Sequence, residues 1–128
     1  MELFADVNWL ATLVSAVVSF MLGAVWYSKY LFGEKWAAGV GVPFGPDEKQ
    51  PAVALILQML GTLLLAIVVG VSFAIALPEL AILIGLFASL LMMAGAGFSK
   101  SSNYAVLAEG GFVIAMVAIM MTFQLVFS

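Results

Sequence analysis

From Trp9 to Tyr27 the chain carries no charged residue. Continued as a helix to Leu31, this stretch is about 34 Å long, enough to cross a hydrocarbon core of about 30 Å. It closes on Trp26, Tyr27, Lys29, Tyr30, Lys35 and Trp36, residue types that sit at headgroup level. A chain that begins this way begins with a membrane span and an interfacial collar. In lipid every backbone polar group must find a partner within protein, so the rest must be helical or a closed barrel. The later apolar runs are continuous rather than alternating, which selects helices. Charge agrees: 9% of the residues are charged, against about 25% in soluble domains.

Composition also removes chemistries. The chain has no Cys, His or Arg. Thiol nucleophiles, the usual zinc ligand sets, histidine bases and arginine phosphate clamps are therefore missing. No enzyme activity and no cofactor or metal is expected. The eight methionines read as flexible core fillers rather than ligands. A net charge of −3 with four lysines points away from nucleic acid. Glu2 and Asp6 stand where a cleavable signal would carry basic residues, and the apolar run is too long for one.

The pattern predicts a single all-α domain, an integral membrane four-helix up-down bundle with spans at about 9–31, 51–77, 80–98 and 103–127. An interfacial aromatic segment separates the first two, with a short helix expected at residues 32–38. Pro46-Asp47-Glu48-Lys49-Gln50-Pro51 forms a polar elbow, and Pro51 suits the first turn of the next helix. Small residues recur at helical spacing in every span: Ala11, Ser15, Ser19 and Gly23; Gln58, Thr62, Ala66, Gly70 and Ala74; Ala81, Gly85 and Ser89; Ala108, Gly111, Ala115, Ala118 and Thr122. Such stripes are where membrane helices approach closely. Ser102 or Asn103 is placed to cap the fourth span.

All four lysines fall in the first and third connections, at positions 29, 35, 49 and 100. The positive-inside rule then puts both termini outside the cytoplasm. The ends of spans one and three, Ser19 to Lys29 and Ser89 to Lys100, look alike and suggest two hairpins related by an axis along the membrane normal.

Asn8-Trp9-Leu10, Trp26-Tyr27-Ser28, Phe32-Gly33, Trp36 and Asn103-Tyr104 together resemble the family catalogued as domain of unknown function 1761. The resemblance implies a small, mostly bacterial, four-span membrane protein and supplies no activity. Members usually carry a Gly-Tyr pair in the fourth span; here Glu109-Gly110-Gly111-Phe112 stands instead.

Glu109 is the one ionisable side chain inside a predicted span. Such residues are costly in lipid and are paired or functional. Gln58 is the polar residue of span two, and each lies about 10 Å beyond the start of its span. The expected site joins them at one depth in a shared cavity, Glu109 as a neutral acid donating to the Gln58 carbonyl. Trp26 and Tyr27 cap that cavity, and Asn103 adds a polar point. Two functions fit. One is a non-enzymatic bundle that self-associates or joins a larger membrane complex, with membrane lipid or another apolar ligand as its partner. The other is a small proton-coupled transporter using Glu109.

Overall fold

A computed structural model describes residues 2–45 and 51–128. The helices are α1 (Trp9–Trp26), α2 (Gly33–Val40), α3 (Ala52–Ala74), α4 (Glu79–Phe98) and α5 (Asn103–Val126), after a short 3₁₀ turn at Glu2–Phe4. Four of them, α1, α3, α4 and α5, are long and apolar enough to cross a membrane. Short α2 falls in the aromatic segment between the first two of these, where a helix at residues 32–38 is expected. The elbow expected at residues 46–50 lies outside the described residues; Pro51 directly precedes α3.

The first span is shorter than expected, ending at Trp26 rather than near residue 31. Ser28 is the reason. Its hydroxyl donates to the Val25 carbonyl at 2.6 Å and accepts from the Tyr30 amide at 3.2 Å, offering the backbone an alternative to another helical turn. The chain then folds back, with the Phe32 amide on the Trp26 carbonyl. Asn8 caps α1 by accepting from the Ala11 amide, and Ser102 caps α5 by accepting from Ala105.

Helices α3 and α4 both end in Schellman turns. The Leu77 amide reaches the Ser72 carbonyl and Ala76 reaches Phe73; likewise Ser101 reaches Ala96 and Lys100 reaches Gly97. The left-handed residue in each turn is Ala76 or Lys100 instead of glycine.

The arrangement is up-down, with α5 at its centre, packed on α1, α2, α3 and α4. The core gathers Ala16, Ala66, Val69, Ala81, Phe112, Val113, Met116 and Met120. The stripes of the first and third spans are the buried faces of their helices, Ala11, Ser15 and Ser19 in α1 and Ala81, Gly85 and Ser89 in α4. In α3 the stripe is buried from Thr62 through Ala66 to Gly70. The seam expected in the fourth span is corrected: Ala118 and Thr122 are exposed, whereas Phe112, Val113, Met116, Val117, Met120 and Gln124 are buried. A central helix touches neighbours on several sides, so large residues enter its contact face.

Both ends of the bundle are pinned. At one, Asn8 Nδ2 donates to the Phe127 carbonyl at 3.0 Å. At the other, the Ser102 amide donates to the Gly39 carbonyl at 2.9 Å, tying α2 to the start of α5. The described lysines, Lys29, Lys35 and Lys100, share this second end; Glu2, Asp6 and Glu79 share the first. Two equivalent hairpins would give equally packed α1–α5 and α3–α4 seams. The α1–α5 seam is well packed and the α3–α4 seam is sparse.

Candidate functional site

That sparse seam opens sideways. Before Thr62, α3 has no buried residue, and after Ser89, α4 has none. The two helices therefore part toward the lysine end, while α1, α2 and α5 stay closed there. Between them runs a lateral groove of about 370 Å³. Its α3 wall runs from Leu57 to Val68, its α4 wall carries Ile84, Ala88 and Met92, and its floor is Phe112, Val113 and Met116 of α5. Gly61 keeps the α3 wall low: a Cβ there would meet no atom within 4 Å.

The polar residues of the groove are Gln58 and Thr62. Gln58 Nε2 donates to Thr62 Oγ1 at 3.1 Å, one helical turn away. The Thr62 hydroxyl in turn points at Met116 Sδ, 3.9 Å away. Gln58 is half-buried, with its polar head turned along its own helix.

Glu109 belongs to a separate cluster. Trp36 Nε1 of α2 donates to Glu109 Oε1 at 3.2 Å, and Lys35 lies over the Tyr104 ring at 5.4 Å. Trp26 donates its indole N–H to the Ala108 carbonyl at 2.9 Å. Around these bonds the rings pack edge to face or tilted: Trp26 on Phe32 at 4.7 Å, Tyr27 on Trp36 at 4.9 Å, and both Trp26 and Tyr27 on Phe112. Tyr27 sits in the turn beyond α1. Its burial, and secondarily the charge of Glu109, push its hydroxyl above the ordinary value.

The structure thus brings Trp26, Tyr27 and Glu109 together at the lysine end. Gln58 is six residues after Ala52 and Glu109 six after Asn103, a matching distance along the two helices. Their hydrogen bonds nevertheless run to different partners, Thr62 and Trp36, and Glu109 does not line the groove. Asn103 is exposed at the start of α5, where Ser102 supplies the cap. Phe112 joins the two regions: Trp26 and Tyr27 pack on it, and it also floors the groove.

Sequence reasoning missed Gly61, Met92 and Met116 as groove residues and Trp36 as the partner of Glu109. The spacing of Gln58 and Thr62 was the available signal for their pair. Nothing in the sequence announced that α3 and α4 would part.

Three apolar helices around a central fourth span, with one seam open sideways, define a small helical membrane bundle. The chain belongs to the family described as "Protein of unknown function (DUF1761)", whose model matches residues 10–127. No curated protein and no solved structure gives a significant match.

Proposed function

We propose that this protein is a non-enzymatic membrane bundle that holds an apolar ligand in the groove between α3 and α4. The observation that carries this reading is the groove itself: about 370 Å³, lined almost wholly by apolar side chains, within the usual range of ligand sites. It opens to the side rather than to water, so a ligand enters from the membrane. Gln58 and Thr62 give it one polar point. The transporter alternative draws less support, because Glu109 faces Trp36 in a packed aromatic cluster outside the groove.

The bundle sits in a bacterial inner membrane with both termini outside the cytoplasm, a reading supported by the gathering of Lys29, Lys35 and Lys100 at one end. It works by association, with itself or within a larger membrane complex. Gly95 and Gly97 support this, since each has open space beside it in the last turns of α4 and allows close helix approach.

Native mass spectrometry of protein extracted with its own lipids tests the ligand reading. Wild type should retain an apolar adduct through collisional activation. Gly61→Phe fills the groove from its open wall and should lose that adduct, as should Met92→Trp from the opposite wall. Equal adducts in all three proteins would sink the proposal.

A further inference from the structure

Resting on the groove being a ligand site, we infer that its occupant is one acyl chain of a phospholipid with an anionic headgroup, taken from the leaflet at the lysine end.

The first support is size. Leu57 to Val68 on α3 rises about 16 Å. About 370 Å³ along that length has room for one extended hydrocarbon chain. A helix of the same length and about 10–12 Å across takes up roughly 1,200 Å³, so a span of a second copy would cover the groove's mouth and leave the groove itself to fill.

The second support is the path. Toward the membrane surface the groove-lining faces continue at helical spacing through Val53 and Ala54 of α3 and Gly95 of α4, all exposed. A chain lying between them reaches headgroup level beside the end of α4. Lys100 stands there, two residues past the end of α4 at Phe98, which lies about 9 Å beyond Met92.

Charge is the third support. The described lysines all lie at this end. Lys29 and Lys35 rest over the rings of Tyr30 and Tyr104. The carboxylates described at this end are Glu34, exposed on α2, and Glu109, engaged by Trp36. Exposed Lys100, in the turn that closes α4, is the described lysine next to a groove-forming helix. A negative headgroup complements it; a zwitterionic headgroup adds a positive charge that does not.

The test titrates the full-length protein in detergent with phosphatidylglycerol or phosphatidylcholine of identical chains and measures bound lipid by native mass spectrometry. Wild type should prefer phosphatidylglycerol by about fivefold, the effect of one lysine near an anionic headgroup. Lys100→Asn removes the charge and suits the left-handed backbone of that position, so the preference should vanish while chain binding persists. Lys100→Arg should restore it. Gly61→Phe should abolish binding of both lipids. Equal affinity of wild type for the two lipids overturns the headgroup assignment and leaves the groove as a ligand site. Binding unaffected by Gly61→Phe and Met92→Trp overturns both readings. A concentration-dependent dimer that displaces lipid and disappears in Gly61→Phe assigns the groove to a second copy and overturns the inference.

Discussion

At the scale of single residues, buried hydroxyls divide into paired and unpaired. Thr12 Oγ1 accepts from Gln124 Nε2 at 3.0 Å, with both side chains buried, so it satisfies an amide that lipid and core would leave without a partner. Thr12→Val should therefore lower stability by about 1–3 kcal/mol in a detergent unfolding titration. Ser19 Oγ is fully buried without a hydrogen-bond partner. Its removal in Ser19→Ala should leave stability unchanged or raise it by about 1 kcal/mol. Equal losses in both variants would contradict the pairing. The Trp36–Glu109 bond is tested by a double-mutant cycle with Trp36→Phe and Glu109→Leu. A coupling of about 1 kcal/mol is expected; zero coupling would mean the contact contributes nothing.

At the scale of elements, the stripes matter through what faces them. A Cβ on Gly70 would lie 2.5 Å from Thr12 Oγ1 and 3.1 Å from Val7 Cγ1, so α1 and α3 approach as closely as they do only because that position lacks a side chain. Gly70→Ala should cost about 1–3 kcal/mol by overpacking. Gly61 lies nine positions earlier on the same helix and faces open space. Gly61→Ala should instead raise stability by about 0.5–1 kcal/mol, the helix-propensity gain alone. Thermal melts of the two alanine variants, moving in opposite directions, would verify that α3 is packed at one end and uncovered at the other. A parallel loss at both sites would mean the groove is closed in solution.

Across the whole molecule, the even number of apolar helices and the pinned ends put both termini on the side opposite the described lysines. Single cysteines at Ser128 and Ser101, probed on intact cells with an impermeant thiol reagent, report which side that is. Labelling at position 128 and protection at 101 are expected; labelling of 101 alone reverses the orientation. The unequal seams are a property at this scale too. Closing α1 on α5 uses Ser15, Ser19 and Gly23, with Phe112 3.2 Å from where a Gly23 Cβ would stand. On the other side α4 follows α5 through Gly85 and Gly110, the latter seating Met93 and accepting the Ser89 hydroxyl on its carbonyl at 2.9 Å. Helix α3 packs on α1 and α5 and only sparsely on α4, and its buried residues begin at Thr62.

The four helices, their all-α class and the small-residue faces of the first three were legible in the amino-acid sequence. These are local properties: uncharged runs of spanning length, caps at Asn8 and Ser102, and glycine, alanine and serine at helical spacing. It also marked Trp26, Tyr27 and Glu109, because aromatic and acidic residues are conspicuous among apolar ones. Only the tertiary structure decided their partners. The period of a helix says which residues share a face, not which helix that face meets. Gln58 and Glu109 match in distance from their helix starts, yet one turns along α3 to Thr62 and the other toward Trp36 of α2. The groove was equally hidden, since it consists of packing that α3 and α4 do not make, and a missing contact leaves no mark on the composition of either helix.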